Sequence, residues 1–397
     1  MFGLSVSLER TKKIYRVAVG SLFFLLGLCS ASWASRIPSI QQQLHISDSL
    51  LGIILFALPV GSILSLSFAG FLVTKYGSKK VAGYSLLAYS ILLYLVGLSQ
   101  NIPLLITALV LFGVAGNTAN IAVNTQAVGV EAKYGRTIMA SFHGLWSLAG
   151  FSAAAIGTVM IGKNILPQNH FMIITAILFA GVAACFQYLL PQEEKTIRQK
   201  GFFVRPEKSL VRLGVIAFCC MICEGAMFDW SGIYFQNVVA ADKEWVGAGY
   251  TAFMLTMTTG RFIADWLTSR IGFKKTVQAS GALIAIGLSI AIIFPFVGTA
   301  IIGFLIVGFG VSSVIPLIYS EAGKSRTTSP GVAITAVSSI GFLGFLIGPP
   351  LIGVIAGTFS LRVSFALIAC IGVLVTVITY YSIEPPHNDV PENLQQA

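Results

Sequence analysis

Long apolar runs separated by short polar segments dominate this chain, and the pattern predicts helices that cross a membrane. A helix needs about 20 predominantly apolar residues to span the hydrocarbon core of a bilayer. We therefore predict an all-α polytopic membrane protein with twelve transmembrane helices. The predicted spans are 14–35, 49–73, 80–98, 102–128, 136–161, 170–190, 211–233, 245–268, 274–294, 297–321, 328–356 and 360–382.

One loop motif occurs twice, 195 residues apart, as GFLVTKYGSKK at 70–80 and DWLTSRIGFKK at 265–275. The same ungapped frame also aligns three further glycine pairs, Gly52 with Gly247, Gly113 with Gly308 and Gly162 with Gly357. A repeat this long predicts two similar halves, with a solute site between them, rather than a solenoid. We predict a six-helix bundle at 1–190, a linker at 191–210 and a second six-helix bundle at 211–397.

Composition supports a bilayer as the surrounding medium. The 397 residues are 56% hydrophobic and 10% charged, with a mean hydropathy of +0.85, whereas soluble domains are about 25% charged. The net charge of +10 does not indicate a nucleic-acid partner, because the charges lie in short loops between spans.

The distribution of Lys and Arg predicts the orientation. Twenty of the 25 cationic residues flank spans on the side where the chain begins. By the positive-inside rule, both termini and the 191–210 linker are cytoplasmic. We expect a multi-pass protein of the bacterial inner membrane, present as a monomer.

The six cysteines all lie within apolar spans, where we expect them to pack rather than to form disulfides. No cofactor or metal is expected. The chain has no P-loop, so direct ATP coupling is not predicted. His143 and Glu224 lie in different halves without a nucleophile motif, so we do not expect an enzyme.

The two six-span halves and the repeated basic loop resemble the major facilitator superfamily, and the resemblance covers nearly the whole chain. Further motifs resemble its bacterial fucose-permease-like branch, which includes importers of sugars or inositol-like compounds. These motifs are SWASRIP at 32–38, HGLWSL at 143–148, Glu224-Gly225 followed by Asp229-Trp230, and Gly348-Pro349-Pro350. The resemblance implies proton-coupled import of a small polyhydroxylated solute. The symporters of that branch carry acids on spans 1 and 4, whereas here span 1 has none and span 4 carries asparagines.

In that superfamily, spans 1, 4, 7 and 10 line the cavity. Span 4 carries Asn117, Asn120 and Asn124 on one helical face. A carboxamide both donates and accepts hydrogen bonds, so these residues are suited to bind a sugar's hydroxyl groups. The alternative is interhelical hydrogen bonding.

Other spans add candidate groups. His143 and Trp146 on span 5 could contact the same solute, and His143 could carry a proton. The alternative is a structural His bonded to span 4. Trp33 on span 1 and Tyr319 on span 10 complete the predicted binding set.

Glu224 gives the strongest individual signal. It lies 13 residues beyond the start of span 7 at 211, about 20 Å along a helix. Ionisable groups at such depth usually face the bundle interior and mark solute or proton pathways. We predict proton coupling or solute binding here, with structural pairing as the alternative.

Charged residues near the span ends predict two gates. Arg36 and Asp229 are expected to pair at the periplasmic ends of spans 1 and 7, the alternative being a headgroup-contacting Arg and a helix-terminal Asp. Arg261 and Asp265, four residues apart on span 8, are expected to form a structural ion pair near the cytoplasmic end. With Lys75 and Arg270 from the repeated loops, they would form a cytoplasmic gate.

These predictions favour a secondary active transporter that moves a small polar solute, with protons as co-substrate, by alternating access. Two other functions stay open. One is proton-coupled efflux of drugs or metabolites, and the other is a solute sensor that does not transport.

Overall fold

A computed structural model of the chain describes residues 2–134, 138–191, 207–325 and 330–382, and regular structure in these ranges is helical. The helices are α1 (Phe2–Gln43), α2 (Asp48–Leu55), α3 (Ala57–Tyr76), α4 (Ser78–Gly97), α5 (Ile102–Tyr134), α6 (Met139–Gly162), α7 (Pro167–Phe186), α8 (Lys208–Asn237), α9 (Ala248–Ile271), α10 (Phe273–Ile293), α11 (Val297–Ser312), α12 (Val314–Ala322), α13 (Pro330–Thr358) and α14 (Leu361–Ser382). A short 3-10 turn, Lys243–Trp245, precedes α9.

Eleven segments among the described residues are long and apolar enough to cross a membrane. Eleven of the twelve predicted spans therefore have a counterpart. The remaining one, 245–268, corresponds to α9, which is not among the eleven, so its crossing of a membrane stays a prediction. Two spans are each made of two helices, α2 with α3 and α11 with α12, which meet at Phe56 and Ser313. Pro59 and Pro316 each follow the break by three residues, and a proline cannot donate the i→i−4 hydrogen bond of a helix.

The helices pack in the same arrangement in both halves of the chain. In the first half α1 packs on α6 and α7, α3 on α5, and α4 on α7. In the second half α8 packs on α13 and α14, α9 on α11, and α10 on α14. Each pair in one half therefore has its counterpart six spans later, as the repeat predicts. The division at 191–210 stays a prediction, because residues 192–206 lie outside the described ranges.

The repeated loop has one backbone conformation in both halves. Gly77 joins α3 to α4 with φ 84° and ψ 143°, and Gly272 joins α9 to α10 with φ 84° and ψ 159°. Each glycine amide donates to a carbonyl four residues earlier, Val73 at 2.9 Å and Thr268 at 2.8 Å. This region of backbone space is nearly restricted to glycine, which explains why glycine occupies both positions.

The two halves meet through closely packed small residues, and these contacts also obey the repeat. A Cβ placed on Gly52 of α2 would lie 2.8 Å from the Gly353 Cα of α13. At the equivalent position in the other half, a Cβ on Gly247 would lie 2.9 Å from the Thr158 Cα of α6. Small residues permit this close approach where hydrocarbon provides no hydrophobic drive between helices.

The two faces of the bundle differ in how the halves join. We call the face where α1 begins and α7 ends the linker side, and the face where α1 ends at Gln43 the far side. At the far side Asn237 donates to Asp48 at 3.3 Å and Lys243 donates to Asn164 at 3.1 Å, each across the two halves. The far-side ends of the halves are therefore closed on each other.

We expect Gly272→Ala to lower the unfolding midpoint of the purified protein, with a cost of about 1–3 kcal/mol from backbone strain. Apart from Gly272 and its two chain neighbours, no atom of the described residues lies within 4 Å of a Cβ built at Gly272, so steric contacts do not contribute. Gly298→Ala is the matched control, since its Cβ also meets open space but its backbone is helical. Equal midpoints for the two variants in a thermal unfolding assay would contradict this explanation.

Candidate functional site

An ion pair occupies the interior of the second half. Arg261 of α9 donates from Nη2 to Glu224 Oε1 of α8 at 3.3 Å, and the two side chains are 21% and 10% exposed. Glu224 lies 16 residues after the start of α8, and Arg261 lies 13 residues after the start of α9, so each is about 20–24 Å along its helix. Charges this deep face the bundle interior because exposure to hydrocarbon is costly.

Arg261 also joins this pair to the first half. Its Nη1 donates to Ser147 Oγ of α6 at 2.7 Å. Nearby, Thr258 Oγ1 donates to the Ser147 carbonyl at 3.0 Å. Glu224, Arg261 and Ser147 therefore form one polar network that connects α8, α9 and α6.

The predicted pair of Arg261 with Asp265, and with it the cytoplasmic gate, stays a prediction. Arg261 pairs with Glu224 of the adjacent helix α8 at mid-depth. The Asp265 side chain lies outside the described part of the structure. Lys75 and Arg270 are exposed, and each lies over an aromatic ring. Lys75 Nζ is 5.2 Å from the centroid of the Tyr76 ring, and Arg270 Cζ is 5.6 Å from the centroid of the Trp266 ring.

The predicted pairing of Arg36 with Asp229 is wrong for this conformation. Arg36 Nη2 donates to the Ile165 carbonyl at 2.5 Å, in the loop between α6 and α7 of its own half. No ion pair joins Arg36 to Asp229 among the described residues. The guanidinium turns toward its own half, and the Asp229 carboxylate is half-buried on α8.

The three asparagines of α5 are used differently. Asn117 Nδ2 donates to the Ser62 carbonyl at 3.0 Å and to Ser65 Oγ at 2.7 Å, both on α3. This is the interhelical alternative considered above. Asn120 is exposed, and its Oδ1 accepts from Asn124 Nδ2 at 2.9 Å. Asn120 and Asn124 thus stay together at an open surface, whereas Asn117 is bonded within the bundle.

The aromatic candidates lie at different depths in the packing. His143 is exposed, and its ring lies edge-on to Phe23 of α1 at 5.3 Å. Trp146 is half-buried, 6.4 Å from the Phe228 ring of α8, so it faces the other half. Trp33 is only 4% exposed within the core, and Tyr319 is partly buried against it. Packing explains the position of Trp33.

Sequence reasoning assigned no role to three residues of this region. Ser147 lies within the HGLWSL motif, but nothing in the sequence indicated that it would receive the Arg261 hydrogen bond. Phe228 stacks edge-on with Tyr250 of α9, with the ring centroids 5.7 Å apart. The buried Tyr250 hydroxyl has no partner within the described residues and lies in electrostatic range of Glu224 and Asp229.

We expect Glu224→Gln and Arg261→Gln each to destabilise the protein by about 3 kcal/mol, because each leaves a largely buried charge without its partner. The double variant should be less destabilised than the sum of the two. Thermal unfolding of the four proteins measures this coupling. Lys324→Gln is the control, since the Lys324–Glu321 pair is exposed and should have little effect. Additive losses in the double variant would show that the pair is not coupled.

A family model described as Major Facilitator Superfamily matches residues 19–329 and 246–397. An uncharacterized MFS-type transporter of Yersinia pestis is 33% identical over 363 residues, which cover 89% of this chain and 92% of that protein. The membrane protein MosC of Rhizobium meliloti is 30% identical over 374 residues, which cover 93% of this chain and 90% of that protein.

Solved structures agree at the level of the fold. The nucleoside transporter NupG matches with a TM-score of 0.70 at 13% identity, covering 94% of this chain and 99% of that chain. A D-xylose-proton symporter matches with a TM-score of 0.72 at 13% identity, covering 93% of this chain and 97% of that chain. The family model, the repeated packing of the halves and these folds agree, and the chain belongs to the Major Facilitator Superfamily.

Proposed function

We propose that this chain is a secondary active transporter that moves a small polar solute, such as a sugar, polyol or inositol-like compound, by proton-coupled symport. The observation that carries the proposal is the network of Glu224, Arg261 and Ser147. It places an acid that can take up a proton in direct contact with the arginine that joins the two halves.

The network suggests how a proton could change the contact between the halves. An ionised Glu224 holds Arg261 in place by charge and hydrogen bonding. Protonation of Glu224 removes the countercharge and leaves Arg261 in a low-dielectric interior, where an unpaired charge is unfavourable. The Arg261–Ser147 contact would then rearrange, and with it the packing of α9 on α6. Alternating access requires such a rearrangement between the halves.

The solute would bind on the linker side of this network. Asn120 and Asn124 of α5 and His143 of α6 offer hydrogen-bonding groups, and Asn120 and His143 are exposed. Trp146 adds an aromatic face for the apolar side of a sugar ring. Asn117 is left out of the proposed site because both of its amide hydrogen bonds go to α3.

The linker side is proposed to face the cytoplasm of a bacterium, in accordance with the distribution of Lys and Arg. With the far-side ends joined, the conformation described here would then be open to the cytoplasm. The motifs at 32–38 and 143–148 favour the fucose-permease-like branch, and the protein is proposed to act as a monomer.

Efflux of lipophilic compounds is the second candidate, and one feature favours it. Trp146, Phe228, Tyr250 and Phe253 form an aromatic cluster where the halves meet, with Phe228 5.9 Å from Phe253. Of these rings Trp146 and Phe228 are partly exposed, and aromatic faces suit an apolar or cationic solute. The polar groups of Asn120, Asn124 and His143 nevertheless make the polar solute our first choice.

A thermal-shift screen of detergent-purified protein tests the solute class, with sugars, polyols, inositols, nucleosides, amino acids and lipophilic cations as ligands. A ligand at about 100 times its Kd should stabilise the folded protein by roughly 2.7 kcal/mol. We expect a sugar or polyol to stabilise the protein, and Asn120→Ala to abolish that shift.

Asn117→Ala is the matched control, since it removes the same amide from the same helix. It should lower the midpoint without ligand but keep the ligand-induced shift. Stabilisation by lipophilic cations alone would favour efflux instead.

Transport by reconstituted vesicles tests proton coupling with the solute found in that screen. In wild-type protein an imposed proton gradient should drive accumulation of the solute. Glu224→Gln should lose this accumulation but retain exchange of labelled for unlabelled solute, because a Gln cannot release a proton. Gradient-driven accumulation that persists in Glu224→Gln would exclude Glu224 as the coupling residue.

A further inference from the structure

A cavity with several polar residues in its wall, distinct from the Glu224 network, lies at the far side where the two halves meet. It has a volume of about 410 Å³. The first half contributes Arg36, Gln42 and Asn164 to its lining, and the second half contributes Gln236 and Lys243. The cavity is therefore built from both halves, at the face where they are closed on each other.

Arg36 lies in the wall of this cavity with unused donors. The residue is only 2% exposed, and Nη2 donates to the Ile165 carbonyl. Its Nε and Nη1 have no hydrogen-bond partner within the described residues. A buried guanidinium without an anionic partner is unfavourable, because desolvation is not offset by a countercharge.

Among the described residues that line the cavity there is no acid to act as a countercharge for Arg36. His170 of α7 is fully buried, lies in electrostatic range of Arg36, and has no partner at either ring nitrogen among the described residues. Lys243 is a second cation in the wall, and its Nζ uses one hydrogen on Asn164 Oδ1. Asp242 and Glu244 flank Lys243 in the chain but are not among the residues that line the cavity.

We propose that this cavity binds a small oxoanion, a carboxylate or a phosphate, between Arg36 and Lys243. The exposed Lys243 would donate a charge-assisted hydrogen bond to the anion from the second half, and the Arg36 guanidinium, whose Nε and Nη1 are buried, would attract the anion by its charge. Volume permits a small organic acid as well as inorganic phosphate.

Because the two cations belong to different halves, a bound anion joins the far-side ends. It binds only while Arg36 and Lys243 face one cavity, so binding stabilises the conformation that is closed at the far side. The anion would thereby act on the conformational equilibrium from a site separate from the proposed solute site.

The test is thermal unfolding of the full-length purified protein in sodium phosphate, sodium acetate and sodium succinate, each against sodium chloride at equal ionic strength. The chloride reference removes general screening by salt. We expect saturable stabilisation by at least one oxoanion, and comparison of phosphate with the carboxylates identifies the class. Stabilisation that never saturates, or that equals the chloride series, would overturn the proposal.

Substitutions locate the effect. Lys243→Gln should weaken the apparent affinity by about tenfold or more, as expected for one charge-assisted hydrogen bond, and Arg36→Gln should abolish the response. Arg362→Gln is the matched control and should keep the response. Arg362 also donates to a far-side carbonyl, the Ile292 carbonyl at 2.5 Å, but Arg362 is exposed and does not line the cavity.

If Arg36→Gln does not fold, Lys243→Gln alone decides the question. An unchanged response in Lys243→Gln, or an equal loss in Arg362→Gln, would place the anion elsewhere. Glu224→Gln should keep the anion response, so failure of this proposal is separable from failure of the transport mechanism.

Discussion

The absence of water in the hydrocarbon core is the constraint on which this structure depends. Every backbone N–H and C=O within the bilayer must find a partner inside the protein, which restricts the spans to helices. Association of those helices then has little hydrophobic drive, and close packing with polar contacts takes its place. Both kinds of contact join the two halves. Gly52 packs closely against Gly353, and the hydroxyls of Thr158 and Thr251 form a hydrogen bond at 2.9 Å.

The same constraint explains the arrangement of the interior charges. Glu224 and Arg261 would each be unfavourable alone at mid-depth, and as a pair they offset part of that cost. The pair lies within one half, but Nη1 of Arg261 reaches Ser147 in the other half. A single side chain therefore connects an ionisable group to the contact between α6 and α9. At the far side, Arg36 is the opposite case, because this buried cation has no ion pair with an acid in the described part of the chain.

The sequence could predict the repeated architecture because it is encoded locally. Apolar runs define spans, and the glycines at 77 and 272 occupy a backbone conformation that other residues rarely adopt. Eleven of the twelve predicted spans have apolar counterparts among the described residues, and the sequence anticipates the depth of Glu224 along its helix. It could not give the partners of polar side chains, because these depend on how neighbouring helices rotate. Asn117 donates hydrogen bonds to α3, and Arg36 donates to the Ile165 carbonyl. Arg261 forms an ion pair with Glu224 on another helix.

The helix breaks at Phe56 and Ser313 have a mechanical consequence. Pro59 and Pro316 cannot donate to the carbonyls of Leu55 and Ser312, so each span is interrupted at a point where the ladder of backbone hydrogen bonds is incomplete. Bending at these points requires little disruption of the remaining ladder. The linker-side segments α3 and α12 thus join their far-side partners at points where a bend would break fewer backbone hydrogen bonds than elsewhere in the span. Under the proposed alternating access, bending at these two points would add a change of shape within single spans to any rotation of the bundles as a whole.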